Sequence, residues 1–245
     1  MILLFPTHAV VAPAINSALR FSTRWIVPET STPNERIRVV REPHRGVYDR
    51  ETIDKILDEG FVCHIGFTVD EQPYVIPTMY ARVGDAIYFH GSAASRMLRG
   101  ASAGIAVCIT VTIADGLVLA RSVFNHSMYY RSVVALGKAT LVDAPEEKLA
   151  ALRAFTEKIL PGRWNDARQP NEKELKATSI LRLPLTEVSA KMRTGPVEDD
   201  AEDYTLPVWA GIVPLHLQAD APVRDQHCDP GIPVPAYAAK YKRSS

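Results

Sequence analysis

Between Phe61 and Val69 the chain reads FVCHIGFTV. Phe61, Cys63, Ile65, Phe67 and Val69 alternate with Val62, His64, Gly66 and Thr68. A period of two predicts a strand with one buried face. The polar turn DEQP follows, then a second strand pattern in YVIPTMYARV, a turn at GD and a third strand in AIYFH. Further on, IAVCITVTI is strongly β-branched. Ile105, Val107, Ile109, Val111 and Ile113 fill one face, and Ala106, Cys108, Thr110 and Thr112 the other. Neither face carries a charge, which predicts cover on both sides. ADG reads as a turn and LVLARSVF as the next strand. YRSVVALGKATLVD and TSILRLPLTEVSAKM continue the β pattern, and LPVWAGIVPLHL predicts a last strand.

The period lengthens in three places. YDRETIDKILDEG sets Ile53, Ile56 and Leu57 three and four apart, a helical face. Asp49 is placed to cap it, Glu51 suits its positive end, and Gly60 is placed to end it. APEEKLAALRAFTEKIL is a second helix, with Asp143 as its expected cap, Pro145 early, and Leu149, Leu152, Phe155 and Ile159 as its apolar side. NEKELKA predicts a short third helix. Six or seven strands at short spacing, two or three helices and no βαβ repeat predict a mainly β fold built on an antiparallel barrel. Residues 1–36 read as an extension with a polar lead-in, 37–218 as the domain, and 219–245 as a Pro-rich tail with little structure.

Composition narrows the class. The 245 residues are 47% hydrophobic and 23% charged, an ordinary globular mix. Lys plus Arg is 28 and Asp plus Glu is 28. That balance argues against a general nucleic-acid binder. Cys63, Cys108 and Cys228 lie far apart and outside any CxxC, so neither a disulfide framework nor a zinc site is expected. A reducing, cytoplasmic setting fits best. No apolar run reaches the roughly 20 residues of a membrane helix. The first 28 residues hold Arg20 and Arg24 and no acid, so a mitochondrial transit segment is the alternative.

Candidate chemistry centres on YFHGSAASRMLRG. A phosphate wants backbone N–H groups at a helix start, hydroxyls and a fixed positive charge. Gly91, Ser92, Ser95 and Arg96 offer these, with Arg99 one turn on. The alternative is a plain strand-to-helix turn with solvated arginines. GxxxxGK[ST] and GxGxxG are both absent. Ser127 and Ser132 lie outside any GxSxG elbow. His64 alternates away from its strand's apolar face, towards surface or cleft. His90 ends a strand beside the phosphate turn, and His126 interrupts two strands; each serves either a ligand or local structure. Cys63 and Cys108 sit in apolar strands and read as core.

The stretch GFVCHIGFTVDEQPYVIPTMYARVGDAIYFHGSAASRMLRG resembles the flavin-binding split barrels related to pyridoxamine 5′-phosphate oxidase. It is most similar to the branch containing the nitroimidazole-resistance proteins. QPYVIPTMY, YFHGSAASRM, NHSMYYRSVVALGKA and AKMRTGP carry the likeness from about Ile37 to about Leu217. The resemblance implies an FMN-binding split β-barrel with FMN at a homodimer interface. Val75, Ile76, Pro77 and Thr78 would lie along the isoalloxazine. His90, Ser92, Ser95 and Arg96 would surround the phosphate. Tyr129, Tyr130, Arg131 and Ser132 would shape the other side of the cleft, with Lys191 and Arg193 near the flavin and Trp209 covering the ring from the partner subunit. Tyr129 departs from the family, where an Asn is frequent.

Two readings from different classes are open. One is an FMN-dependent oxidoreductase that takes electrons from NADH, NADPH or another donor and acts on a small molecule of nitroaromatic or quinone-like type. The flavin would carry the redox step, which accounts for the lack of a triad or a carboxylate pair. The other is a carrier of flavin, or of haem with His64, His90 or His126 as axial ligand. Neither calls for nucleic acid, membrane or a separate metal ion.

Overall fold

The structure is a computed structural model that describes residues 34–91 and 104–242. The alternating segments become β1 (Gly46–Val47), β2 (Val62–Val69), β3 (Gln72–Val83), β4 (Ala86–His90), β5 (Ile105–Leu119), β6 (Ser127–Leu141), β7 (Ile180–Pro184), β8 (Glu187–Arg193) and β9 (Gly211–Pro214). Pairing is antiparallel throughout, in the order β1-β8-β6-β7-β4-β3-β2-β5-β9. β6 also pairs with β5, which closes β2-β3-β4-β7-β6-β5 into a barrel. Mainly β architecture is therefore as expected, with more strands than the six or seven anticipated. The segment expected as one strand from Thr178 is a hairpin, β7 and β8. ADG is a bulge rather than a turn: the β5–β6 register shifts between Ala114 and Gly116, and β5 runs on to Leu119.

The barrel interior follows from the period of two. Cys63, Ile65 and Phe67 of β2, Val107, Ile109 and Val111 of β5, and Val133 and Ala135 of β6 form one buried cluster. α1 (Arg50–Glu59) adds Ile53, Ile56 and Leu57 to it. Burial pushes the Cys63 thiol up to about 12, so it is inert core. The Asp49 carboxylate caps α1 by accepting from Thr52 N at 2.9 Å, which holds its carboxyl below the ordinary value.

α2 (Pro145–Ile159) covers part of the barrel's outside, packing Ala151 and Phe155 on Ala81, Tyr88, Val142 and Ile180. Its face is rotated from the expected one: Leu149 and Ile159 are exposed. Nor does Asp143 cap it. Ala144 is the N-cap, with no side-chain bond. α3 (Arg163–Asp166) follows, then α4 (Glu172–Ala177), the short helix anticipated, closed by a capping box from Asn171 and Glu174. The tail carries a short helix, α5 (Ala236–Ala239), where Tyr237 donates to Asp166 Oδ2 at 2.6 Å.

Beyond β8 the chain returns along the β5–β6 hairpin. The Asp199 side chain is wholly inaccessible and accepts from Arg121 N at 2.9 Å, Ser122 N at 3.3 Å and the Arg121 guanidinium at 3.1 Å. Burial works to raise its pKa, but these hydrogen bonds outweigh it and hold the carboxyl below its ordinary value.

Gly60 is required by space, not by conformation, since its φ is −69°. A Cβ there would meet Val111 Cγ1 at 2.5 Å and Tyr80 Oη at 2.9 Å. Gly60→Ala is expected to cost roughly 1–3 kcal/mol in denaturant unfolding; an unchanged midpoint would contradict the packing. A depressed carboxyl stabilises above its unfolded pKa of about 3.9, and that contribution is lost as pH falls through the folded value. The Tm deficit of Asp199→Asn should therefore be full near neutral pH and vanish in acid; a deficit independent of pH would contradict the charged anchor.

Candidate functional site

Directly paired residues share a face of a sheet. Pairing of β3, β2, β5, β6 and β8 sets Pro77, His64, Thr110, Val134 and Ser189 in one cross-strand row. Val75, Gly66, Cys108, Leu136 and Glu187 form the next row, and Thr112, Ser132 and Lys191 another. Ala114, Tyr130 and Arg193 complete the face. These rows point away from the barrel interior, and α2 does not pack on them.

Two clefts open along this face. The first, of about 680 Å³, is lined by Gly66, Thr68, Val75, Ala106 and Cys108 among others. It reaches Gly104, where the described chain resumes. Gly91 (φ +92°) and Gly104 (φ +88°) bracket the motif between β4 and β5 in left-handed conformations that favour glycine. At Gly104 a Cβ would also sit 2.9 Å from the Ala139 carbonyl oxygen. The second cleft, of about 610 Å³, has apolar walls from Phe61, Val62, Ile113, Leu215 and Leu217. Two imidazoles, His64 and His216, line it together with Glu59, Asp115 and Arg131.

Arg131 is already engaged. Its Nε and Nη2 donate to the two Asp115 oxygens at 2.9 and 2.7 Å. Nη1 and Nη2 donate to Glu59, the latter at 2.9 Å. Asp115 first and Glu59 second raise its pKa above the ordinary arginine range. Its fork is spent on protein carboxylates.

Val75, Pro77, Tyr130, Ser132, Lys191 and Arg193 thus share the outer face. Ser132 Oγ donates to Lys191 O at 3.2 Å, and Lys191 Nζ to Arg41 O at 2.8 Å. Ile76 and Thr78 point to the opposite face; Ile76 packs on the barrel core, and Thr78 Oγ1 donates to His90 O at 3.5 Å. His90 is half-buried, its ring centroid 4.7 Å from that of Phe155, and burial holds its pKa below the ordinary value. His126 Nδ1 lies 2.8 Å from Ser122 O. Trp209 is 67% exposed, its indole lying over Gly211, where a Cβ would meet the ring at 2.7 Å. Ser92, Ser95 and Arg96 lie outside the described residues. Tyr129 alternates with Tyr130, and its hydroxyl is buried with no hydrogen-bond partner among the described residues.

Sequence reasoning missed His216, Glu59 and Asp115, and read Cys108 as core although it is half-buried on the first cleft. Cys108 was legible, since it shares the alternating set of Thr110 and Thr112. His216 was not, because only the pairing of β9 with β5, the neighbour of β2, brings its segment to this cleft. Among the described residues no three His, Cys, Asp or Glu side chains group as a metal site. No described helix is long and apolar enough to cross a membrane.

A buried hydroxyl without a partner contributes nothing by hydrogen bonding. Its burial carries an unrepaid desolvation cost, so Tyr129→Phe should raise the unfolding free energy, by up to about 1–3 kcal/mol. A loss of about 1–3 kcal/mol would show that the hydroxyl is satisfied after all.

Residues 49–192 match the family model described as pyridoxamine 5′-phosphate oxidase. No curated protein matches the chain. The structure of the flavocytochrome Anf3 from Azotobacter vinelandii is 38% identical, with a TM-score of 0.80 over 86% of this chain and 99% of that one. An FAD and haem binding protein from Mycobacterium smegmatis is 34% identical, with a TM-score of 0.74 over 79% of this chain and 95% of that one. A candidate 5-nitroimidazole antibiotic resistance protein from Bacteroides thetaiotaomicron matches at 21% identity and a TM-score of 0.48, over 60% of this chain and 86% of its own. With the closed barrel and this likeness over most of its length, the chain belongs to the pyridoxamine 5′-phosphate oxidase family of flavin-binding split barrels.

Proposed function

We propose that this chain is a flavin-dependent oxidoreductase that also holds haem and works as a homodimer. The observation that carries the reading is the second cleft: two imidazoles on apolar walls, in a chain similar almost end to end to a flavocytochrome. A haem plane needs an apolar slot and an axial nitrogen. The donor set fits, with His64 or His216 as ligand. His90, packed on Phe155, and His126, bonded to Ser122 O, are already engaged in local structure.

The flavin belongs to the other end of the same face. Gly66 and Cys108 leave a shallow floor and Val75 and Pro77 flank it, while Lys191 and Arg193 supply positive charge further along the face, in the rows of Thr112 and Ala114. Arg96, Ser92 and Ser95 remain the proposed phosphate contacts, from the motif alone. The resemblance implied FMN; the relative that binds FAD and haem favours FAD, and we take FAD as the flavin. When bound, the two groups would supply hydride and single-electron chemistry. The protein's own part is to exclude water, orient the ring and hold the iron ligand. The donor would be NADH or NADPH and the acceptor a small nitroaromatic or quinone-like molecule.

A second subunit would cover this face. Leu117 pairs with Met128 and Val213 in a row whose members are 41%, 40% and 42% exposed. Uncovered apolar rows of this kind mark interfaces, and a two-fold dimer is the commonest way to bury one. Trp209 is equally available to reach across.

Purified protein should carry a flavin band and a Soret band, release FAD on acid extraction, and scatter light as a dimer. His64→Ala or His216→Ala should shift or abolish the Soret band and leave the flavin in place. Anaerobic NADH or NADPH should bleach the flavin. Flavin without haem would contradict the haem half of the reading. FMN in the extract would overturn the choice of FAD, and unbleached flavin would point to a carrier.

A further inference from the structure

We propose that Arg193, Lys191 and the Tyr130 hydroxyl form a carboxylate-binding strip that takes the propionate groups of haem held in the second cleft, an inference that rests on the haem reading above. The strip starts at the wall of that cleft, where Thr112 and Ala114 of β5 line it. On the same outer face the Thr112 row continues through Ser132 to Lys191, and the Ala114 row through Tyr130 to Arg193. Each cation thus stands two strand spacings, about 10 Å, from the cleft wall. The β5–β6 and β6–β8 ladders fix that placement.

Both cations are half-buried, and neither has a carboxylate partner among the described residues. Lys191 Nζ donates to the uncharged Arg41 carbonyl oxygen at 2.8 Å. The Arg193 guanidinium and the Tyr130 hydroxyl make no hydrogen bond among the described residues. Arg131 differs, since Glu59 and Asp115 occupy its fork. Glu187, the one acid in the four cross-strand rows, is held by Arg36 at 2.6 Å and Asn34 at 2.7 Å. A cation drawn partly out of water without a counter-charge costs free energy, and an arriving carboxylate offsets that cost. A guanidinium fork matches a carboxylate, an ammonium adds charge, and a phenol donates one hydrogen bond. Haem is flat and apolar apart from two propionates on one edge. Phe61, Val62, Leu215 and Leu217 suit its apolar body, and the strip suits its charged edge. The strip therefore sets which way round the ring enters.

The test is a Soret titration of the full protein, freed of haem, with hemin and with hemin dimethyl ester, whose propionates carry no charge. Arg193→Gln should weaken hemin binding about tenfold or more, and Tyr130→Phe about threefold or more. The Soret maximum should stay where the wild type has it, because the axial nitrogen is untouched. The ester should bind wild type and both variants alike, and more weakly than hemin binds wild type. Two variants guard against one failing to fold, and Lys176→Gln, on exposed α4, controls for lost surface charge. Hemin affinities that stay with the Lys176→Gln control, or an equal loss for hemin and ester, overturn the strip and leave the haem reading standing. Wild-type protein that takes up neither porphyrin overturns both.

Discussion

The β5–β6 ladder is the constraint on which the rest depends. Two strands of 15 residues pair along nearly their whole length and close the barrel. β2 and β9 lean on one side of that pair, β8 and β7 on the other. Inward residues fill a single core, which fixes the register, because a slip by one would turn every apolar side chain outward. The outward residues are thereby fixed as well. Pro77, His64, Thr110, Ser132 and Lys191 share a face because the core has no other register.

The one interruption in the ladder lies beside the second cleft. At Asp115 the register shifts, and the freed residue joins three otherwise separate segments through Arg131, Glu59 and Leu215. Breaking such a partly buried ionic group by removing one partner leaves a charge uncompensated, which is costlier than the pair is stabilising. Local order at the cleft is thus coupled to the geometry of the barrel's longest strands. Among the described residues α2 covers outer surface on the far side, at Ala81 and Tyr88.

Much of this was legible in the alternation of apolar residues. The FVCHIGFTV period placed His64 outward, and the uncharged IAVCITVTI strand predicted two covered faces, one of which the single chain leaves half-open. The motif likeness led to the family. What was not legible depended on contacts distant in sequence. ADG looks like a turn because Asp and Gly favour turns, yet pairing with β6 on both sides of the bulge overrides that preference. The ion pairs of Arg131 were hidden because its partners, Glu59 and Asp115, come from a helix end and a bulge. His216 lay unremarked because only β9, a strand of four residues, brings it to β2's neighbour. α2 turned Ala151 inward beside Phe155 and Leu152 and left Leu149 and Ile159 exposed, so half of its expected face was right.

The central claim is that one outer face holds iron at its histidine-lined end. The most direct measurement is an iron anomalous difference map from crystals of the haem-loaded protein. The account predicts a single strong peak per subunit within bonding distance of a His64 or His216 ring nitrogen. A peak at His90 or His126 instead, or iron away from this face, would contradict it.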